Sequence, residues 1–271
     1  MTLYHDISEN YMTTADGVRI RYLECAGEGR PPIVLVHALA VQNSADQWLS
    51  SFDELRKHFH VYALDVPGWG LSDMPASGYT FPMWVGAAKG FVDGLGLKNI
   101  NVIGQSLGGW IAALYVHQNQ DNVRRLALLS NAGLNPSPPT QASTFSLPTR
   151  DRIRGLGYAT EAMADAIYDQ MVRPGREEAY VQILDYINDA AVREEWGLRN
   201  FLPDMKLPIL FTQADTNRAI QPQYAMEAFM MAPHGRLMIT MGGSAPGGYN
   251  TPEMIATAIR FFNMDEVPVA Q

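Results

Sequence analysis

The sequence predicts an α/β fold, a doubly wound and mostly parallel sheet carrying an inserted helical cap. Short runs rich in Val, Ile and Leu alternate with longer stretches of helical periodicity, the pattern of strands joined by crossover helices. Several of these runs, such as Ile33-Val34-Leu35-Val36, are apolar throughout, as strands covered on both faces must be. The alternation breaks once, from about Asn135 to Asn200, and resumes at Leu207-Pro208-Ile209-Leu210-Phe211.

In chain order, the strands expected are Val18–Glu24, Ile33–His37, Val61–Asp65, Ile100–Gly104, Arg125–Ser130, Ile209–Gln213 and Leu237–Met241. Helices are expected near Asp46–His58, Met83–Leu95, Leu107–Gln118, Gln223–Ala232 and Pro252–Phe262. The last has a start signal: Thr251 caps, Pro252 suits the first turn, and Glu253 complements the positive end of the dipole. The interruption begins with Asn135-Pro136-Ser137-Pro138-Pro139-Thr140 and continues as helical text without β-runs. It divides the chain into a core of residues 1–134 and 201–271 and a helical cap of 135–200. In sheets of this kind, ligands bind beyond the strand ends, where such an insertion lies. A packed excursion with no binding role fits the same text.

Composition narrows the classes further. The 271 residues hold 47% hydrophobic and 18% charged residues, a globular balance. The net charge is −8 and no basic stripe stands out, which argues against nucleic acid or an anionic membrane as a partner. Cys25 is the single cysteine, so no internal disulfide forms and a reducing, cytoplasmic setting is expected. The opening MTLYHDISEN lacks the features of a signal peptide, and no apolar run approaches the length of a spanning helix. There is no dinucleotide or phosphate-binding glycine motif and no metal-ligand spacing, so neither a cofactor nor a metal is expected.

One motif carries chemistry. Gly104-Gln105-Ser106-Leu107-Gly108 fits G-x-S-x-G between an expected strand and an expected helix. Glycines on both sides permit the strained turn that pushes a serine hydroxyl into a cleft, and the N–H of Leu107 then faces a developing oxyanion. An ordinary tight turn with a helix-capping serine is the alternative.

At this point the chain resembles the α/β-hydrolase superfamily over nearly its whole length. Asp16-Gly17-Val18-Arg19-Ile20-Arg21-Tyr22 is similar to the family's first hairpin. Leu35-Val36-His37-Ala38-Leu39 resembles its His-Gly oxyanion loop, with alanine in place of the usual glycine. Asp65-Val66-Pro67-Gly68-Trp69-Gly70-Leu71-Ser72-Asp73 matches the loop after its next strand. The resemblance implies Ser106 as nucleophile and the N–H groups of Leu107 and Leu39 as the oxyanion hole. Asp215, closing the strand that begins at Ile209, stands where the family places the acid that orients its base; a role in capping the helix near Pro222 is the other reading. His37, Ala38, Gln105 and Trp110 are candidate substrate-binding residues around this site.

The family's histidine is absent. Ser244 of Gly242-Gly243-Ser244-Ala245-Pro246 occupies its expected position, and no residue between Ile239 and Glu253 is a histidine. Serine cannot act as a base at neutral pH. Of the six histidines, His58, His60 and His234 precede their strands, His117 lies about 16 Å down a helix, and His5 is in the N-terminal tail. Only His37 is expected at the correct sheet edge. Its family counterpart supports the oxyanion loop; a surrogate base is the lesser alternative. The broken triad has three explanations: a deliberate substitution in an otherwise active hydrolase, a natural ligand-binding pseudoenzyme, or a lyase that uses the oxyanion hole alone. The implied partner is a small, largely apolar ester, lactone, thioester or carbon–carbon-bond substrate, handled by a monomer or homodimer. Trp48, Trp69, Trp110 and Tyr249 are candidates to line an aromatic cleft. The methionines Met163, Met171, Met205, Met226, Met230 and Met231 fit either an adaptable pocket or ordinary core.

Overall fold

The computed structural model describes residues 6–135, 146–155, 161–217, 220–241 and 252–264. Strands β1 (Ser8–Thr13), β2 (Arg19–Cys25) and β3 (Pro32–Val36) lead to a 3-10 turn at Ala45–Trp48 and helix α1 (Leu49–Leu55). Then come β4 (His60–Leu64), α2 (Phe81–Gly94), β5 (Ile100–Gln105), α3 (Leu107–Gln118) and β6 (Val123–Leu129). Among the described residues, the next elements are the helices α4 (Arg150–Arg154), α5 (Glu161–Met171), α6 (Arg176–Asn188) and α7 (Ala190–Trp196). The chain resumes with β7 (Ile209–Ala214), α8 (Pro222–Met231), β8 (Gly235–Thr240) and α9 (Pro252–Phe262).

The eight strands form one sheet in the order β1-β2-β4-β3-β5-β6-β7-β8. β1 and β2 run antiparallel, β2 meets β4 antiparallel, and β3 through β8 pair in parallel. This is the doubly wound, mostly parallel sheet expected. β1 was not expected, because its residues are largely exposed and show no apolar alternation. It is held by pairing with β2 through a turn in which Gly17 takes φ +83°, a value that glycine adopts without strain.

Alternate strand residues feed two cores, one per face. Val34 and Val36 face the core built by Phe81, Trp84 and Phe91 of α2 and Trp110 and Ile111 of α3. Ile33 and Leu35 face the core of Trp48, Phe52 and Leu55 with Ile255, Ile259 and Phe262 of α9. The helical insertion contributes to both, through Ala179 and Ile183 on one side and Ile153, Met163 and Ile167 on the other. Its neck is narrow: Leu198 N–H donates to Gly133 O at 2.9 Å, and Arg199 Nε donates to Leu134 O at 2.9 Å.

The expected helix over Asp46–His58 begins instead as the 3-10 turn, because Ser44 Oγ accepts from Asp46 N–H and the Asp46 carboxylate turns into the protein. There it meets Arg21, which bonds Asp46 at 2.9 Å and Asp65 at 3.3 Å, all three side chains being buried. Burial opposes charge on Asp46, but Arg21, Ser44 and Gln170 hold its carboxyl below the usual range. Burial pushes the Asp65 carboxyl up despite Arg21. Gln170 of α5 donates to Asp46 at 3.1 Å, so this network also ties the insertion to the sheet.

Candidate active site

The sharp turn between β5 and α3 forms because glycine allows close approach. A Cβ at Gly104 would lie 2.5 Å from the Gly109 Cα, and one at Gly108 would lie 2.1 Å from the His37 carbonyl oxygen. Between them Ser106 takes φ +52°, ψ −120°, a conformation that L-residues adopt only when their surroundings over-determine it. The surroundings do so. Ser106 N–H donates to Leu129 O at 3.1 Å, while its carbonyl accepts from Gly109, Trp110 and Ala132 at 3.0–3.2 Å. The side chain is half-buried and its hydroxyl has no protein partner among the described residues.

The loop after β3 emerges beside this turn, since Val36 is in register with Gly104. Leu107 N–H is first in α3 and has no intrahelical acceptor; Leu39 N–H donates to nothing among the described residues. The Leu39 amide is aimed by His37. The His37 Nδ1–H donates to Ala38 O at 2.9 Å, while Nε2 accepts from Val66 N–H at 3.0 Å, which fixes a neutral tautomer. In a trans peptide the N–H points opposite to the C=O, so holding the Ala38 carbonyl sets the direction of the Leu39 N–H. Burial drives the His37 pKa down to about 4. With its one lone pair bound and its pKa this low, His37 is not a base at neutral pH.

The remaining residues support this arrangement. Ala38 N–H donates to Gln47 Oε1 at 3.0 Å, and Gln47 Nε2 donates to Gln105 Oε1 at 2.7 Å, linking the β3 loop to the residue before Ser106. Trp110 Nε1 donates to Trp196 O at 2.7 Å, and its ring packs on Phe81. His37, Ala38, Gln105 and Trp110 are all buried, with polar atoms turned to protein partners rather than to a cleft. Trp48 and Trp69 are likewise core residues, not cleft lining, and Tyr249 lies outside the described residues. Met163, Met171 and Met205 are core, whereas Met226 and Met230 lie on the surface of α8.

Asp215 follows β7 at the same sheet edge, half-buried, with its N–H on Thr240 O at 3.0 Å. The capping alternative falls, because α8 is N-capped by Gln221 without a side-chain bond. Two strand spacings of ~4.8 Å separate β5 from β7, so roughly 10 Å lies between their ends. An imidazole with a hydrogen bond of ~2.8 Å at each nitrogen spans about that gap. Position 244, where the sequence puts Ser244, lies outside the described residues. His58 bonds Asn263, His60 pairs with Glu24 at 2.8 Å, His117 packs on Phe201 at the end of α3, and His234 precedes β8. None of these four is at the Ser106 edge of the sheet. Among the described residues, no group of three or more His, Cys, Asp or Glu side chains could hold a metal ion, and no helix is long and apolar enough to cross a membrane.

Residues 31–152 match the family model described as alpha/beta hydrolase fold. A 118-residue stretch is 33% identical to a dihydrolipoyllysine-residue acetyltransferase component of an acetoin cleaving system from Cupriavidus necator, covering 44% of this chain but only 31% of that protein. A 2-hydroxy-6-oxo-2,4-heptadienoate hydrolase from Pseudomonas putida is 27% identical over 201 residues, covering 68% of this chain and 69% of its own. A solved meta-cleavage product hydrolase from Pseudomonas fluorescens superposes with a TM-score of 0.75 at 20% identity, covering 95% of this chain and 98% of that one. With this sheet and this serine turn, the chain is of the α/β-hydrolase type. Its sheet has the fold of that family, and the sequence similarity to the family lies in residues 31–152.

Proposed function

We propose that the chain is built as a serine hydrolase for a small, largely apolar carbonyl substrate, acting by acyl transfer. The observation that carries this reading is Ser106, held at φ +52° on the turn between β5 and α3, with the Leu107 and Leu39 amides taking no backbone acceptor among the described residues. In the proposed reaction Ser106 Oγ attacks the carbonyl carbon as its proton passes to a base, and the oxyanion is stabilised by the N–H groups of Leu107 and Leu39. Collapse expels the leaving group, which takes up that proton. Water then releases the acid and restores the hydroxyl. Asp215 orients the base, whose place is position 244. Serine there leaves the oxyanion hole and binding to act alone, so turnover by this chain is slow.

The similarity to a relative named 2-hydroxy-6-oxo-2,4-heptadienoate hydrolase supports adding a vinylogous carbon–carbon bond to esters and lactones as candidate substrates. A cytoplasmic setting fits the single, buried Cys25. Ser244 itself favours a second reading, a protein that binds such a ligand without converting it.

The test is hydrolysis of short-chain p-nitrophenyl esters and of a dienoic ring-cleavage product by this chain, by Ser244→His and by Ser106→Ala/Ser244→His. The expected result is a gain of about 10³-fold or more on restoring histidine, abolished by the Ser106 substitution. Saturable binding of either compound class with all three at background turnover would establish the ligand-binding reading instead.

A further inference from the structure

The insertion grips one loop of the core. Arg176, the first residue of α6, is 2% exposed and donates to Gly68 O and, at 3.3 Å, to Gly70 O. Arg173 donates to Gly70 O at 2.6 Å and Ser72 O at 3.4 Å. No carboxylate lies within ion-pair distance of Arg176 among the described residues. Burial lowers its pKa to about 10, and a cation in the first turn of a helix also opposes the dipole. Buried, unpaired charge is a poor source of stability, so this arginine is better explained by what it holds than by its own contribution.

What it holds is the backbone on either side of Trp69. That side chain is 1% exposed, and its Nε1–H donates to Leu39 O at 2.9 Å. Its ring also packs edge-on against His37, at 5.6 Å between centroids. The same tryptophan therefore touches both peptide units that define the Leu39 segment: the Leu39 carbonyl directly, and the Ala38 carbonyl through the imidazole.

We propose that Trp69 is a positioning residue for the oxyanion loop, and that Arg176 couples it to the seating of the cap. Displacing α6 releases the Gly68 and Gly70 carbonyls, frees the indole and loosens the Leu39 amide, so the oxyanion hole is complete only beneath a docked cap. This rests on the oxyanion role proposed for Leu39.

The experiment measures amide hydrogen exchange by NMR at Ala38 and Asn43, which donate to Gln47 and to the Ala40 carbonyl at 3.0 and 2.8 Å. It compares the chain with Trp69→Phe, which keeps an aromatic ring and loses the donor, and with Arg176→Ala. Exchange at both amides is expected to rise roughly tenfold in each variant, with β3 and β5 amides unchanged. If Arg176→Ala does not fold, Arg176→Lys takes its place and gives a smaller rise at the same amides. Unchanged exchange in Trp69→Phe overturns the proposal, and unchanged exchange in a folded Arg176 variant overturns its coupling to the cap. In the Ser244→His background, Trp69→Phe lowers kcat about tenfold while KM stays within twofold. Should Ser244→His itself show no turnover, the hydrolase reading fails while the exchange comparison still decides this one.

Discussion

His37 shows how far residue identity falls short of residue chemistry. In the sequence it is a histidine at the correct sheet edge and an open candidate base. In the structure its two nitrogens are committed to Ala38 O and Val66 N–H. Ser106 was legible because the glycines around it betray the turn, whereas the lone-pair assignment of an imidazole depends on a backbone amide 29 residues away. A measurable pH dependence follows. The folded pKa of about 4 lies below the ordinary 6.5, so between these values the unfolded chain binds the extra proton and stability rises with pH. The contribution is complete above pH 6.5 and is lost as pH falls towards 4, about 3 kcal/mol in all. Urea titrations at pH 7 and 4.5 should show a flatter pH dependence in His37→Gln than in the parent. Equal slopes would mean that the imidazole titrates normally.

The apolar strands and the final helix were readable as elements because their patterns are local. β1 was hidden because its stability comes from the partner strand rather than from its own side chains. The α-helix expected near 46–58 starts only at Leu49 for a related reason, since Asp46 is drawn inward by Arg21, a residue of a different element. Arg125 poses the same problem from the other side. A charged residue in β6, it is buried, and its guanidinium donates to the carbonyls of Phe261 and Phe262 and, through Nη2, to Met264 O at the end of α9. These carbonyls lie where the helix has run out of its own donors, Phe261 O taking a long bond of 3.4 Å from Met264 N–H, and a cation there also complements the helix dipole. Arg125→Met should therefore cost about 2–3 kcal/mol and preferentially raise hydrogen exchange in the last turn of α9. A uniform loss of protection across the molecule would argue against a local cap.

Across the whole molecule, the buried Arg21–Asp46–Asp65 network is the point where β2, the loop after β3, β4 and the insertion meet. Arg21→Met leaves two buried carboxylates without their cation, and the expected loss is about 3–5 kcal/mol in urea unfolding. A loss below 1 kcal/mol would show that the carboxylates take up protons without penalty. The doubly wound, mostly parallel sheet was legible at this scale from the order of strands and helices. The path by which the interruption rejoins the core was not, because it depends on hydrogen bonds between Gly133 and Leu198 and between Leu134 and Arg199. Those two bonds have a consequence for chain length. Departure and return are fastened together, so the sheet receives the same two chain ends whatever lies beyond them. Doubling a loop adds only about 0.6 kcal/mol of closure entropy. The helices between the two bonds can therefore change in length at little entropic cost, provided that Gln170 and Arg176 keep their bonds to Asp46 and to the carbonyls of Gly68 and Gly70.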